Sequence, residues 1–577
     1  MPNRRSFLKN TLLTSTGLLI LPVLSFEEKA PGEIAMDDLE DSFLKPPPSA
    51  RPQAYWMWMN GHITRKGITL DLERMKKMGL SGAFIYNTGT GIPKGPVTYG
   101  SAQWTSLVIH AMQEARRLGL DLFLHNSPGF SSTGGSKVTP EMSMQQVVWT
   151  ETIIESHGAV SVQLPQPKTK LGYYLDSMVV AHPSLAVEKH SMEKTLARIT
   201  VNGREVPINI LLDENIETGI ELSPSEGAKA VLLLEFTEPF EARAITITRQ
   251  REPSSSIYDD AYDHPPSFIL ESSADGISYR LVCTISMPLL RFLDAPGTQS
   301  FAAVKSRFFR LVASGKTTLT NLRLHGGPRL TGWPGKANFT DLVPLENEQE
   351  IDKDFIIAPD TVVDITSQLQ KDGRLVWDAP AGNWTILRFG HTCIGTKTVA
   401  TPDDAGGLEI DKFSIDAVNT YFRLYLNGLI EKLKPFDSFK GLLVDSSEIG
   451  KQNWTATFPS FFQQKRGYAI AAWMPALTGR VVQSIRSTEK FLWDVRDTQA
   501  DMVATNYYGQ FQKHCAFKGL RFYAQPNGDG VFDSLQVGQH LDVPMAEFWT
   551  RYMPGTINLV KQAVSMAHGY GNKIIAA

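Results

Sequence analysis

The fold of this chain is decided by residues 54–86, which read AYWMWMNGHITRKGITLDLERMKKMGLSGAFIY. Within them Ala54–Met59 has the composition of a buried strand, Ile63–Gly79 has the apolar spacing of a helix that ends at a glycine, and Gly82–Tyr86 is a second strand. The alternation continues with a helix and a strand, Ala102–Leu118 and Leu120–Leu124. Strands and helices in strict alternation predict parallel βα units.

A block without helical periodicity follows, from about Gln146 to Arg388. Short alternating apolar runs are separated there by clusters of Pro, Gly and Ser, which is typical of a β-sandwich. The segments Glu271–Tyr279 and Arg307–Leu311 resemble the galactose-binding-like jelly-roll family. This resemblance implies either a sugar-binding domain or a scaffold.

The βα pattern returns near Asn383 and continues to the end of the chain. Strands are expected at Trp384–Phe389, Gly441–Val444, Arg521–Ala524, Pro544–Trp549 and Lys573–Ala577, and helices at Lys412–Leu433, Ala500–Phe517 and Met553–His568. The two halves together supply about eight strands, which favours an α/β fold of the (β/α)8 TIM-barrel type, interrupted by an inserted β-sandwich, over an open sheet. The last strand has no helix to cover it, so we expect the barrel to be incomplete at residue 577.

The N-terminal segment has the features of an export signal. Residues 4–9, RRSFLK, precede an apolar run that is too short for a membrane span. The order resembles a twin-arginine signal, and an ordinary Sec signal is the alternative. We therefore expect a periplasmic or extracellular protein without a membrane span after signal removal. The expected organisation is signal peptide, linker, first barrel part, inserted sandwich and second barrel part, at residues 1–26, 27–52, 53–145, 146–382 and 383–577.

Charge and cysteine content argue against several classes of protein. The chain has 57 Lys and Arg against 60 Asp and Glu, so no basic surplus exists to neutralise phosphates, and nucleic acid is not expected as a partner. The three cysteines, Cys283, Cys393 and Cys515, are far apart in sequence. Neither a disulfide framework nor a structural zinc site is therefore expected.

The ends of the predicted parallel strands carry polar side chains suited to sugar chemistry. Function in a TIM-type barrel concentrates in the loops after the strands. Glycoside hydrolysis needs two carboxyl groups, one to protonate the leaving oxygen and one to activate water or attack the sugar. Glu448 and Glu547 are the candidates, and a surface salt bridge or a helix start is the alternative for each. The candidates for substrate binding are Trp58, Asn60, His125, Asn126, Asp445, Trp454, Gln525 and Asn527. The alternatives are core packing for Trp58, a structural strand-end histidine for His125 and a cap of the following turn for Asp445.

Several motifs together resemble glycoside hydrolase family 106. They are Tyr55–Gly61, Leu124–Gly135, Gly407–Lys412, Asp445–Glu448 with Asn453–Thr455, Arg466–Tyr468 and Glu547–Trp549. The resemblance implies an inverting α-L-rhamnosidase that acts on a carbohydrate, uses calcium and carries β-domains on a barrel. It also implies that Glu448 and Glu547 are the catalytic pair and that a further active-site Glu follows residue 577. It does not identify the calcium ligands.

The surroundings of the two carboxyl groups predict their roles. Apolar neighbours disfavour ionisation, and Glu547 lies among Ala546, Phe548 and Trp549. We therefore expect Glu547 to be the general acid and Glu448 the general base, and the reverse assignment stays open. Two other functions also stay open, a non-catalytic carbohydrate-binding or surface protein and a retaining glycosidase. A carboxyl separation of about 5–5.5 Å indicates retention, and one of about 6.5–9.5 Å indicates inversion.

Overall fold

The computed structural model describes residues 36–47, 50–130, 132–189, 191–212, 218–224, 229–250, 266–288, 295–342, 350–448, 450–528, 530–531, 533–548, 556–572 and 574–576. The chain divides into two compact units, Met1–Pro52 and Gln53–Ala577. The predicted export signal at 1–26 lies outside the described residues. In the predicted linker, 27–52, the structure has a helix at Met36–Leu44. This stretch contains neither Gly nor Pro, so no residue in it breaks a helix.

The centre of the second unit is a six-stranded parallel sheet. Its strands are β1 (Gln53–Met59), β2 (Gly82–Thr88), β3 (Asp121–His125), β4 (Phe439–Val444), β5 (Arg521–Ala524) and β6 (Val543–Pro544). They lie side by side in chain order, and each pair is parallel. Ala576 adds a single parallel bridge to Met545, the residue after β6. All six carboxyl ends therefore lie along one edge of the sheet.

The two faces of this sheet are buried by different partners. On one face the side chains of the strands pack against one another, and they are Phe84, Tyr86, Phe123, Leu443, Tyr523, Val543 and Met545. On the other face Trp56, Trp58 and Ile85 share a larger core with the helices. Successive side chains of a strand point to opposite faces, so Tyr55 and Met57 lie on the face opposite to Trp56 and Trp58.

Helices connect the parallel strands and cover the second face. The helix Arg65–Lys77 begins at Thr64, whose hydroxyl accepts from the Gly67 N–H at 3.1 Å. Ala102–Leu118 begins at Ser101 in the same way and ends at Gly119. The later helices are Ile415–Tyr421, Asn427–Leu433, Phe458–Arg466, Ile485–Met502, Gly509–Phe517, Ser534–Gly538 and Thr556–Tyr570. Short helices lie at Met192–Thr195, Asn209–Leu212 and Trp333–Lys336, and π-helical turns at Phe422–Leu426 and Val503–Tyr508.

Antiparallel sheets occupy the block between the parallel strands β3 and β4. One sheet has eight strands, Leu196–Val201, Arg204–Val206, Ile220–Leu222, Ala230–Gln250, Phe268–Ser273, Arg280–Ile285, Ala295–Ala313 and Thr317–His325. Another has four, Gln145–Ser156, Leu175–Pro183, Val363–Asp364 and Gly382–Cys393. Two further antiparallel pairs are Ala159–Gln163 with Arg374–Asp378 and Gly134–Gly135 with Leu408–Glu409, whereas Ile356–Ile357 pairs parallel with Val481–Val482, which follows β4 in the chain. The helix-free character expected for this block is therefore confirmed in its main part.

The predicted eight-stranded barrel is confirmed only as a parallel α/β sheet. Within the described ranges six strands join in the sheet, and it does not close. The prediction that Trp384–Phe389 resumes the parallel pattern is wrong. This segment lies in Gly382–Cys393, which pairs antiparallel with Gln145–Ser156 and Leu175–Pro183. A short apolar run is compatible with either pairing, and only the partner strand decides between them.

None of the helices in the described part of the chain combines the length and the apolar composition that crossing a bilayer requires.

Candidate active site

The loops that follow β4, β5 and β6 lie side by side. The Ser447 N–H donates to the Asn527 carbonyl at 2.9 Å, and the Ala546 N–H donates to the Ala576 carbonyl at 3.0 Å. A Cβ on Gly528 would lie 2.0 Å from the backbone carbonyl oxygen of Ser447, so only glycine permits this approach of the two loops. The side chains that follow these three strands therefore meet at one edge of the sheet.

The amide of Gln525 joins two of the carboxylates. Its nitrogen donates to Asp445 Oδ1 at 3.0 Å and to Glu547 Oε1 at 3.2 Å, and its oxygen accepts from the Tyr55 hydroxyl at 2.9 Å. The neighbours determine this orientation, because the opposite one would place the amide oxygen against two carboxylates. Gln525 is therefore a bridge between β5 and the side chains that follow β4 and β6, anchored on β1.

Asp445 is the most strongly buried acid of the group. Its Oδ2 accepts from the Tyr86 hydroxyl, and its Oδ1 also accepts from the Ser446 N–H at 3.0 Å. Burial raises the pKa of Asp445 to about 7. The charges of Glu448 and Glu547 also raise this pKa, whereas the hydrogen bonds from Tyr86 and Ser446 lower it. Asp445 therefore exchanges a proton near neutral pH, unlike an ordinary aspartate.

Glu448 and Glu547 both lie within electrostatic reach of Asp445. Glu448 is half-buried, and its Oε1 accepts from the Ser446 hydroxyl at 2.9 Å. Glu547 is also half-buried, whereas Phe548 beside it is 62% exposed. The apolar cover expected around Glu547 is therefore incomplete at Phe548, and Trp549 lies outside the described residues. The structure thus brings both predicted catalytic residues to one site, where the charge of each raises the pKa of Asp445.

An aromatic wall supports these carboxylates. The rings of Tyr55 and Tyr86 lie 5.0 Å apart, and His125 stacks on Tyr86 at 4.2 Å with an interplanar angle of 8°. Burial, together with the charge of Asp445, raises the pKa of both tyrosines, so they stay protonated and donate. Burial lowers the pKa of His125 to about 3, so its imidazole is neutral. Sequence reasoning missed Tyr55 and Tyr86, although the period of two in β1 and β2 places both on the face opposite to Trp56.

Two of the predicted sugar-binding tryptophans are core residues. Trp58 is 2% exposed and packs edge-on against Trp56 at 5.4 Å and Trp104 at 6.4 Å on the helix side of the sheet. Trp454 is fully buried, its ring lies 4.7 Å from Phe458, and its Nε1 donates to the Ser177 hydroxyl at 3.2 Å. Neither ring presents a face to a ligand, so the structure favours the core alternative for Trp58 and gives Trp454 a packing role as well.

The three asparagines predicted to bind substrate hold loops near the site. Asn60 donates to the Ile92 carbonyl at 2.6 Å and accepts from the Asp403 N–H at 3.2 Å. Asn126 donates to the Ser132 carbonyl at 2.8 Å and to the Thr133 hydroxyl at 2.6 Å. Asn527 contributes its backbone to the junction with Ser447, and its buried Oδ1 has no hydrogen-bond partner in the described part of the chain.

The loop after β3 is held by a buried ion pair. Glu409 Oε1 accepts from the Thr133 N–H at 2.7 Å and from the Ser132 hydroxyl, and it pairs with Lys412 at 3.1 Å. Both charged side chains are almost completely buried. The motif Gly407–Lys412 therefore positions the loop that carries Asn126.

The donor set at this edge consists of oxygen ligands. Asp445, Glu448 and Glu547 are carboxylates, which calcium prefers. In the described residues no three His, Cys, Asp or Glu side chains are arranged closely enough to hold a metal ion by themselves. A cation here would therefore complete its coordination with carbonyl, water or sugar oxygens.

Comparisons with known proteins agree with this geometry. The sequence profile of the glycoside hydrolase family 106, described as α-L-rhamnosidase, matches residues 44–577. The solved rhamnosidase from Novosphingobium sp. PP1Y is 30% identical, with a TM-score of 0.79 over 93% of this chain and 52% of that one. A Formosa agariphila protein named provisionally as a beta-glucuronidase is 30% identical over 97% of this chain and 36% of its own length.

The present chain thus spans about a third of the curated relative and about half of the solved rhamnosidase. The family profile covers the whole of the second unit, including every strand of the parallel sheet and all three carboxylates at its edge. The chain belongs to glycoside hydrolase family 106, the family of α-L-rhamnosidases.

Proposed function

We propose that this protein is an exported α-L-rhamnosidase that removes terminal rhamnose from plant or microbial polysaccharides or glycosides with inversion of configuration. The observation that carries the proposal is the Gln525 amide, which joins Glu547 to Asp445 beside Glu448. Two carboxyl groups at one end of a parallel sheet, in a chain of a rhamnosidase family, are what glycoside hydrolysis requires.

In the proposed reaction Glu547 is the general acid and Glu448 the general base. Glu547 donates its proton to the glycosidic oxygen as the bond to the anomeric carbon breaks. Glu448 takes a proton from a water molecule, whose oxygen attacks the opposite face of the anomeric carbon. The donation from Gln525 to Glu547 Oε1 orients the acid, and the Tyr55 hydroxyl holds Gln525 in place. Asn527 offers an acceptor to the sugar hydroxyls.

The proposal includes calcium at the same edge. Asp445 would hold the ion together with carbonyl, water or sugar oxygens, since burial and the neighbouring carboxylates raise the pKa of Asp445 and a cation would relieve that repulsion. Calcium supplies a fixed positive charge that binds sugar hydroxyls. Exhaustive chelation of the full protein should abolish activity and restored calcium should recover it; activity without detectable metal would contradict this part.

The parallel sheet is proposed to be the major part of a (β/α)8 barrel with the β-rich block inserted after β3. The chain order of the six strands supports this arrangement, as does the Ala576 bridge beyond β6. An experimental structure of the full protein should show two further parallel strands between β6 and β1. A sheet that stays open at β1 and β6 would contradict closure.

The proposed function is tested by assaying the full protein with aryl glycosides as substrates. An aryl α-L-rhamnoside should be hydrolysed, and proton NMR of the first product should show β-L-rhamnose, because inversion changes the anomeric configuration. Release of α-L-rhamnose would establish retention. Preference for an aryl β-glucuronide, the substrate suggested by the name of the Formosa agariphila relative, would replace the proposed substrate. Binding without hydrolysis of either would favour a carbohydrate-binding protein.

Export is proposed on the N-terminal residues 4–9 and the apolar run that follows. A fusion of residues 1–52 to a reporter that folds in the cytoplasm should reach the periplasm. Replacing Arg4 and Arg5 by lysines should block transport by the twin-arginine route. Transport that persists would indicate the Sec route instead.

A further inference from the structure

A polar cavity lies in the β-rich region of the chain, lined by none of the side chains of the candidate active site. Its volume is about 160 Å³. Its lining comes from the strands Gln145–Ser156, Ala230–Gln250 and Thr317–His325 with the turn after the last of these, and from residues 187–188, 191–193, 333, 478 and 480. Because these segments are distant in sequence, the cavity is a product of the tertiary fold and not of one loop.

Charges of both signs line this cavity in equal number. The cations are Arg323, Arg329 and Arg480, and the anions are Glu151, Glu188 and Glu193. Arg480 pairs with Glu151 at 2.6 Å and with Glu188 at 2.7 Å, and Arg323 pairs with Glu193 at 3.2 Å. The lining therefore offers many donors and acceptors with a formal charge of zero, which suits a neutral ligand with hydroxyl groups better than an ion.

His325 adds a neutral polar group to the wall. Burial and the charges of the three arginines hold its pKa well below the usual range, so the imidazole is uncharged. Its Nε2 and the Thr246 hydroxyl are hydrogen-bonded at 2.9 Å. The charge balance of the cavity is therefore unchanged throughout the neutral pH range.

Two tryptophans form the apolar part of the lining. Trp149 and Trp333 pack edge to face with their ring centres 5.9 Å apart. Trp333 is 5% exposed, and its indole N–H has no hydrogen-bond partner among the described residues. An unsatisfied buried donor costs free energy unless a ligand or water accepts from it. Trp333 is packed edge to face against both Trp149 and Phe339, so the half-buried Trp149 is the ring with surface left for the apolar face of a sugar.

We propose that this cavity is a second carbohydrate-binding site, which takes one neutral sugar ring remote from the catalytic carboxylates. Arg323, Glu193 and Asn321 provide the hydroxyl contacts at its accessible side, since Arg323 and Glu193 are about one-third exposed. The fully buried Arg480 and its two glutamates form the rigid base. Such a site would hold a glycan chain while its terminal residue is hydrolysed elsewhere.

The test is sugar binding by the full protein carrying Glu448→Gln and Glu547→Gln, which prevents hydrolysis. Methyl α-L-rhamnoside and methyl β-D-galactoside are the neutral probes, and D-glucuronate and sulfate are the anionic ones. Isothermal titration calorimetry should detect binding of a neutral glycoside. Its affinity should not change with salt concentration, because screening affects only charged ligands. A soaked crystal should show the ring beside Trp149.

The decisive variant is Arg323→Ala, with Arg198→Ala as the matched control. Arg198 pairs with Glu235 at 2.6 Å on the same antiparallel sheet and does not line the cavity. Arg323→Ala should weaken binding of the neutral sugar about tenfold or more, because a hydrogen bond from a charged group is lost, and Arg198→Ala should leave it unchanged.

If Arg323→Ala lowers the melting temperature sharply, Asn321→Ala serves as the second variant with the same expected loss of binding. Equal binding by Arg198→Ala and by both cavity variants would overturn the proposal. Salt-sensitive binding of only glucuronate or sulfate would overturn it too, as would a failure of every probe to bind at this cavity in solution and in soaked crystals. Because the readout is binding, none of these results depends on whether the protein hydrolyses rhamnosides.

Discussion

Two groups of buried carboxylates in this molecule are held in opposite electrostatic states. At the end of the parallel sheet Asp445 lies near Glu448 and Glu547, and its pKa is raised to about 7. In the antiparallel region Glu151 and Glu188 flank Arg480, and the pKa of each is lowered although burial alone would raise it. Burial acts to raise the pKa in both places, and the difference teaches that a neighbouring guanidinium such as that of Arg480 is needed to reverse the sign of the shift.

The two groups therefore contribute to different properties of the protein. A carboxylate among other carboxylates is costly to ionise, and such perturbed groups cluster at functional sites. A carboxylate paired with a guanidinium is stable as an ion but depends on its partner. Changes in the first group should mainly affect activity, and changes in the second group should mainly affect stability.

The largest expected effect is on catalysis. Glu448→Gln and Glu547→Gln should each lower kcat/KM on a natural rhamnoside by about 10²–10⁴-fold, because each removes a general acid or base. On an activated aryl rhamnoside, loss of the acid should be less harmful than loss of the base, since the leaving group needs little protonation. Steady-state kinetics with both substrates measures this.

The control for these variants is thermal unfolding, which should be nearly unchanged. Near-normal turnover in both variants would mean that the catalytic pair is misassigned. An inverted dependence on the leaving group would exchange the roles of Glu448 and Glu547.

The second-largest expected effect is on stability, and it concerns the carboxylates that flank Arg480. Arg480→Leu should lower the free energy of unfolding by about 3–5 kcal/mol, because it leaves the buried Glu188 and the half-buried Glu151 without their paired cation. Arg480 is 2% exposed and also donates to the Thr478 hydroxyl at 2.8 Å. Adding Glu151→Gln and Glu188→Gln to this variant should restore much of the loss. A loss below about 1 kcal/mol in urea unfolding would show that the pair is not stabilising.

A smaller effect concerns the pH dependence of stability. Because the pKa of Asp445 is raised from 3.8 to about 7, the folded protein keeps a proton that the unfolded chain has released. In the calcium-free protein this group therefore makes stability fall as the pH rises from about 4 to about 7. Asp445→Asn cannot ionise, so it should gain stability relative to wild type, by a few kcal/mol at most, between pH 5 and pH 8.

The matched control for that prediction is Asp176→Asn. Asp176 accepts from Arg388 at 2.8 and 2.9 Å, and these bonds lower its pKa against the effect of burial. Its contribution is present above the unfolded pKa and is lost as the pH falls, so this variant should lose stability at neutral pH. Urea unfolding at several pH values distinguishes the two, and parallel curves for Asp445→Asn and wild type would contradict the raised pKa.

The smallest expected effect is a difference between variants of Tyr55 and Trp58, which lie on opposite faces of β1. Tyr55→Phe removes the hydroxyl that donates to Gln525, so kcat should fall about tenfold with a KM close to wild type. Trp58→Phe changes only core packing, so it should lower the melting temperature and leave kcat unchanged. The opposite pattern in the two variants would mean that the faces of β1 are reversed.

The local pattern of the sequence was sufficient for much of the fold. The helix Ala102–Leu118 and the strand Arg521–Ala524 have the predicted bounds, and β1, β2 and β3 lie within a few residues of theirs. These elements depend on apolar spacing and on caps such as Ser101 and Gly119, which are properties of neighbouring residues.

What depends on distant partners was not predictable. Trp384–Phe389 is a strand as expected, but its place in an antiparallel sheet is decided by Gln145–Ser156, more than two hundred residues earlier in the chain. Trp58 was a candidate, and Tyr55 was not, for a similar reason. Alternation places Tyr55 and Trp58 on opposite faces, and only the packing of the helices shows which face is which.

The sequence by itself determined the family, the alternation of strands and helices, and the presence of Glu448, Asp445, Gln525 and Glu547 at strand ends. Only the tertiary structure decided that Gln525 bridges Asp445 and Glu547, that Tyr55 and Tyr86 support them, and that Trp58 and Trp454 are core. The physical reason is that propensity and periodicity act over a few residues, whereas hydrogen bonds, burial and pKa shifts arise from groups brought together across the whole chain.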